Sequence, residues 1–302
     1  MNWYKVDLKL RSWVASEWQA DIIFGHLCWG MLYLYGQDKL NAFLHDCRQG
    51  QPPLLLSNGF PGDLLPVPLT GAHTFSRTAT IADQQKQYKQ FKEQKEIHYI
   101  TLAEFNACLA GQPPQKLTRQ VTGEIRRVTL KNQLNRNSGT TTPGGSLYNF
   151  EEHYIPQISI YMKLNEEFKP VMENLLGYLK DSGYGKRKSA GYGSIESLKM
   201  EHFEGFEFPP KPNGFVTLSN FVPAVHDPVK GRWSVVTKYG RMGEVYASED
   251  HAFKKPLLML AAGSTFVVAD QRDFYGRMVE GLSYYPDTAH YAYALPVPMV
   301  VA

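Results

Sequence analysis

Lys186, Arg187 and Lys188 stand together inside the run GYGKRKSAGYG, with glycines at 183, 185, 191 and 193 and a serine at 189. Glycine adopts backbone conformations closed to other residues and lets a second backbone come close. Exposed N–H groups in such a turn can cradle an anion, and three adjacent cations match a phosphate chain. Tyr184 and Tyr192 either stack on bases or pack inward. The run is not a GxxxxGK[ST] phosphate loop, because positions 180 and 187 are Lys and Arg. It is not GxGxxG, because position 188 is Lys. The competing reading is a glycine turn without a ligand; four glycines around three cations favour ligand binding. Gly183, Gly185, Lys186, Arg187, Lys188, Ser189, Gly191 and Gly193 are therefore the first candidates for a binding site.

A second basic stretch covers residues 116–136. Lys116, Arg119, Arg126, Arg127, Lys131 and Arg136 stand there against one acid, Glu124. Val121, Ile125, Val128 and Leu130 are interleaved with them, which predicts a β-hairpin or extended arm. The one-sided charge favours contact with a polyanion over a merely solvated arm. His26 has the chemistry of a general base, but its neighbours Phe24, Leu27, Cys28 and Trp29 suggest a buried or RNA-packing histidine. Acid–base catalysis without a metal also needs a second proton carrier or an oxyanion stabiliser, and residues 186–188 supply only the latter. His45-Asp46 and His226-Asp227 fall far short of a metal-ligand set. Cys28, Cys47 and Cys108 are odd in number and form no CxxC, so neither a disulfide framework nor a zinc site is expected.

The elements that must position these groups can be read from periodicity. Tyr4, Val6, Leu8 and Leu10 alternate with polar residues as in a half-buried strand. Residues 20–34 form a nearly all-apolar helix despite Gly25 and Gly30, and residues 40–47 a second, short one. Residues 52–68 predict a short strand and then a proline-punctuated loop. Residues 77–95 read as a polar surface insertion of mixed charge. Thr101 and Glu104 have capping-box spacing ahead of a helix to 109. Ile158, Ile160 and Met162 alternate as a strand. Phe168, Val171, Met172, Leu175, Leu176 and Leu179 then form one helical stripe, which Gly183 is placed to stop. A strand through Ile195 and Leu198 follows. Beyond the proline-rich linker at 206–214, strands are expected at 215–221, 233–239 and 264–269, with an apolar tail at 291–301. The 302 residues, 43% hydrophobic and 20% charged with a net charge of +3, suit an α+β protein of one or two domains. No signal peptide or membrane-spanning run is expected.

Several of these segments resemble one family. The doubled glycine loop is similar to the signature loop of RAMP proteins, the repeat-associated superfamily of CRISPR systems. Residues 23–29 (IFGHLCW) resemble the opening helix of one RAMP group. Ser57 and Pro61, followed by Pro66 and Pro68, resemble that group's proline loop; Asn135-Arg136 ahead of Leu147-Tyr148 resembles its arginine segment. The likeness points to subunits of type III-A CRISPR effector complexes. It covers most of residues 1–197 and is looser from 215, at Leu218-Ser219, Val222-Pro223 and Gly263-Ser264.

The resemblance implies two ferredoxin-like (RRM-like) domains, 1–205 with insertions and a smaller one at 215–302. It implies a cytoplasmic RNA-binding ribonucleoprotein subunit of antiviral defence, not itself an enzyme, without metal or cofactor. Its partners would be the 5′ tag of the CRISPR RNA, the large polymerase-cyclase subunit and the adjacent backbone RAMP subunit. The glycine loop would touch the tag backbone, Arg136 a phosphate or base, and a thumb would lie within 117–134. Arg119, Arg126, Arg127, Lys131 and His26 complete the expected RNA contacts. The alternative is a metal-independent CRISPR RNA-processing endoribonuclease with His26 as base.

Overall fold

The computed structural model describes residues 1–70, 80, 83, 85, 88–89, 92–93, 96–112, 120, 122–132, 138–140, 147–244, 246 and 251–301. Its first half contains β1 (Asn2–Leu10), α1 (Ala20–Tyr35), α2 (Gln37–Arg48), β2 (Leu54–Pro61), β3 (Leu65–Pro66), β4 (Tyr99–Ile100) and α3 (Leu102–Leu109). There follow β5 (Ile125–Asn132), β6 (Leu147–Tyr154), β7 (Gln157–Leu164), α4 (Lys169–Ser182) and β8 (Ile195–His202). The second half supplies β9 (Gly214–Thr217), β10 (Gly231–Arg232), β11 (Val235–Lys238), β12 (Leu257–Leu260), β13 (Thr265–Val267), β14 (Tyr275–Val279), β15 (His290–Ala294) and β16 (Pro296–Met299).

The central sheet has the order β2-β7-β1-β8, with antiparallel neighbours throughout. With α1 between β1 and β2 and α4 between β7 and β8, this is a strand–helix–strand–strand–helix–strand unit. The alternation in β1 buries Tyr4, Val6, Leu8 and Leu10. They meet Ile23 and Leu27 of α1, and Met172, Leu175, Leu176 and Leu179 of α4, in one core. Thr101 and Glu104 form the capping box: the Glu104 N–H donates to Thr101 Oγ1 at 3.3 Å, and the Thr101 N–H to Glu104 Oε2 at 2.9 Å. Gly183 stops α4 with a φ of 77°, its N–H donating to Leu179 O at 2.9 Å.

Two expectations are corrected. The prolines at 52–68 do not end the strand early: β2 runs to Pro61, because it lies at the sheet edge and its register shifts between Leu56 and Gly59. Edges and bulges tolerate a residue without an N–H. Of the two forms expected for 117–134, the hairpin is not found among the described residues: Ile125–Asn132 is one extended strand, and it pairs with 147–154.

The second half departs from a second copy of the first unit. Its main sheet is β10-β13-β9-β16, and no α-helix occurs among the described residues of 214–301. A helix packed on this sheet comes instead from before the linker. The Val300 N–H donates to Leu109 O at 2.9 Å at the end of α3. Val216, Leu218, Tyr291, Leu295 and Val297 join the same core as β1 and α1. Burying both halves together removes more apolar surface from water than either could alone.

Candidate nucleic-acid interface

The glycine loop is a tightly tied turn between α4 and β8. The Tyr184 N–H donates to Gly193 O at 2.9 Å, and the Gly193 N–H to Trp13 O at 2.8 Å. At Gly193, φ is +66°, and a Cβ there would lie 1.8 Å from Tyr184 O, so only glycine fits. A Cβ on Gly185 would lie 2.9 Å from Ser16. Arg187 is one of two described non-glycine residues with positive φ, at 61°, and a 3₁₀ turn over Lys188–Ala190 follows it. A left-handed residue leading into a right-handed turn makes successive N–H groups converge, as in an anion-binding nest.

His26 lies directly beneath the loop. The Gly185 N–H donates to His26 Nε2 at 2.9 Å, and the Lys186 N–H to Ser16 Oγ at 3.0 Å. Burial, and then the charge of Lys188, lower the His26 pKa to about 3. The imidazole is therefore neutral near pH 7. With Nε2 accepting, its proton sits on Nδ1, which is buried without a hydrogen-bond partner. Neither nitrogen offers a lone pair for abstracting a proton. Tyr184, a candidate for base stacking, packs inward instead: it is fully buried, stacks on Trp18 at 3.7 Å, and donates to Glu17 O at 2.7 Å.

The hairpin β5–β6 stands beside the loop, and its cations are already engaged. Arg126 pairs with Glu17 at 3.0 Å and Glu124 at 2.6 Å. Arg127 pairs with buried Glu152 at 2.6 Å and covers the Trp13 ring at 4.1 Å. Burial opposes ionisation of Glu152, but hydrogen bonds with Arg127, Tyr192 and Thr129 prevail and lower its pKa to about 2. Lys131 lies 3.8 Å from the Phe150 ring centre and donates to Tyr192 Oη at 3.0 Å. Arg187 donates to Tyr148 Oη at 2.6 Å. Cation–aromatic and charged contacts thus fasten hairpin to loop. Arg119 and Arg136 lie outside the described residues, as do Lys116, most of the 77–95 insertion and residues 141–146 of the connecting loop.

Loop, hairpin and α1 open onto a cleft of about 1930 Å³ whose far wall comes from the second half. Gly185, Lys186, Arg187, Lys188, Ser189, His26, Arg126 and Arg127 all line it. So do Lys238, Lys254 and Glu244, which lie far away in sequence and carry no local motif. Lys238 pairs with Asp21 at 2.8 Å, and Lys188 with Glu244 at 2.7 Å. Asp21 Oδ1, Glu152 Oε2, His153 Nε2 and His290 Nε2 also border the cleft, buried without a hydrogen-bond partner.

Among the described residues no group of three His, Cys, Asp or Glu could hold a metal ion, and the three cysteines are free thiols. Asp227 of the second HD pair is structural: it accepts from the Ala224 N–H at 2.8 Å and the Gly276 N–H at 2.6 Å. Among the described residues no helix is long and apolar enough to cross a membrane.

This arrangement can be compared with known structures. The chain is similar to one in the Csm1–Csm4 cassette solved with cA4, with a TM-score of 0.65 and 17% identity over 100% of this chain and 99% of the other. It is also similar to a chain of the Csm3–Csm4 subcomplex of the type III-A CRISPR-Cas interference complex, with a TM-score of 0.64 and 13% identity over 99% of both. The fold is that of a type III-A CRISPR-Cas subunit. No family sequence model and no curated protein sequence matches the chain. At such identities the type III-A fold is preserved through the pattern of buried positions, since cores accept many side-chain combinations of equal volume and pattern.

Proposed function

We propose that this chain is the RNA-capping subunit of a type III-A CRISPR effector complex. It would hold the 5′ tag of the CRISPR RNA in the cleft, with the glycine loop on the phosphate backbone. Csm4 is the component that the two similar assemblies share. On this reading Csm1 would be the large polymerase-cyclase subunit docked to this chain, and Csm3 the neighbouring backbone subunit. The observation that carries the RNA assignment is the loop itself: three consecutive cations, pinned by His26, Ser16 and Trp13 at the mouth of the cleft. Backbone-directed binding of this kind is electrostatic and fixes register more than sequence.

The two-part organisation belongs to the same proposal. Residues 1–205 form the ferredoxin-like unit, 206–214 the linker, and 215–302 a second RAMP unit that shares the first unit's core and borrows α3. The chain would act in the cytoplasm as a binding subunit and not as a nuclease. Against the endoribonuclease alternative stands the geometry of His26, whose Nε2 is committed to Gly185.

The test is binding and cleavage of repeat-derived guide RNA in EDTA, by the chain alone and reconstituted with its neighbours. The comparison is with the Lys186→Ala/Arg187→Ala/Lys188→Ala variant. Intact RNA is expected, bound by wild type and released by the variant. The slope of log K against log salt should fall by about 2, at roughly 0.7 per phosphate contact. Cleavage by the wild type, lost in His26→Ala, would overturn the proposal.

A further inference from the structure

A line of aromatic rings leaves the cleft where the cationic loop ends. On α1, Trp29 and Tyr33 are four residues apart and therefore on one face, with ring centres 5.9 Å apart. Tyr178 of α4 extends the line at 5.9 Å from Tyr33. In the other direction Tyr246 lies 6.3 Å from Trp29 and Tyr285 4.9 Å from Tyr246, followed by Tyr284 at 5.7 Å. The rings come from two helices and two segments far apart in sequence, so only the tertiary fold assembles them.

This line differs from the aromatic clusters of the core. Tyr33 is 54% exposed, Tyr246 37% and Tyr284 71%, whereas core rings such as Tyr161 and Tyr184 are sealed. Trp29, Tyr246 and Tyr285 line the same cleft as Lys186 and Lys188. The junction is direct: Glu244, two residues before Tyr246, reaches Lys188 Nζ at 2.7 Å. A Cβ on Gly243 would lie 3.3 Å from Trp29 Nε1, so the chain crosses closely over α1 there. Rings left partly exposed beside a row of cations have the composition of single-strand nucleic-acid sites, where cations follow the backbone and aromatic faces take the bases.

We propose that the Trp29–Tyr246–Tyr285 wall, with Tyr33 and Tyr284 flanking it, is a stacking site for unpaired nucleobases of single-stranded RNA that continues the path set by the glycine loop. The inference rests on the RNA-binding reading above and adds to it a second mode of contact, directed at the bases and tolerant of sequence. Glu244 marks the boundary between the phosphate-directed and base-directed parts.

The experiment uses the purified chain and two probes of equal length and charge: a single-stranded RNA octamer, and an abasic ribose-phosphate octamer. Tyr246→Leu removes a ring whose hydroxyl makes no hydrogen bond among the described residues, and Tyr246→Phe restores the stacking face. For the base-bearing octamer, Tyr246→Leu should weaken binding roughly 5- to 150-fold, the range for loss of one stacked base. Binding of the abasic octamer should not change, and Tyr246→Phe should behave as wild type. Equal losses on both probes, or no loss on either, would overturn the stacking site. So would a Tyr246→Leu effect confined to assembly with partner subunits, which would make the rings a protein interface. The electrostatic reading is judged separately: abasic binding that falls in the triple-alanine loop variant sustains it even if the stacking site fails.

Discussion

His26 is the residue on which the nuclease and scaffold readings divide, and its removal has a calculable consequence. In His26→Ala the Gly185 N–H, donated at 2.9 Å to Nε2, loses its acceptor inside the protein. The bond is part-buried at the wall of the cleft, so its loss costs about 1 kcal/mol, and the lost packing against Tyr184, at 5.1 Å between ring centres, raises the total to about 2–4 kcal/mol. His26→Gln keeps an oxygen within reach and should cost less than about 1 kcal/mol. The two variants also differ from wild type in pH dependence. Folding holds the imidazole pKa down at about 3 against an ordinary 6.5. Between those values the unfolded chain binds a proton that the folded chain refuses. Stability is therefore fully present above pH 6.5 and drains as pH falls from there towards 3. From pH 7 to pH 5 the His26 contribution amounts to about 2 kcal/mol. His290, also held low at about 4 by burial, adds a loss of the same sign, but it is present in every variant. Urea unfolding of wild type and His26→Gln at pH 7 and pH 5 isolates the difference. Wild type should lose about 2 kcal/mol more than the variant over that interval. Equal losses would refute the neutral, loop-holding histidine. An unchanged urea midpoint in His26→Ala would refute the hydrogen-bond argument.

Two further outcomes follow from the same geometry. Gly193→Ala places a methyl 1.8 Å from Tyr184 O at a φ of +66°; it should destabilise the protein by at least about 2 kcal/mol and weaken RNA binding, seen in thermal unfolding and in the binding assay. Glu244→Gln releases Lys188 from a carboxylate that competes with phosphate, at an exposed pair contributing about 0–1 kcal/mol. RNA affinity should rise up to roughly fivefold at low salt, with the gain vanishing at high salt; unchanged affinity at low salt would show that the pair does not restrain the loop.

The elements that position the site were readable because each is a local pattern. The period-two run of β1, the stripe of α4, the stop at Gly183 and the Thr101–Glu104 box depend on neighbours within a few residues. The same holds for the loop, whose glycines and cations are contiguous. What each member of the loop does was not readable. Tyr184 could stack or pack, and only the approach of Trp18 across the fold sends it inward. The basic arm looked like free charge, yet Arg126 and Arg127 find Glu17 and Glu152 on other elements. His26 carried the same sequence signal whether base or buttress. The direction of one hydrogen bond, from a backbone N–H 159 residues away, makes it a buttress.

The sequence by itself determined the strand–helix–strand–strand–helix–strand unit and the glycine loop at its last crossover, because period, capping and backbone freedom are short-range properties of the chain. Only the tertiary structure decided how the second half would be used. It shares the first half's core, takes α3 from before the linker, brings Lys238, Lys254 and Tyr246 to the wall of the cleft, and sets Glu244 against Lys188 of the loop. Nothing local in those residues marks them, because their role comes from burial of two apolar faces against each other, and that is a property of the whole chain.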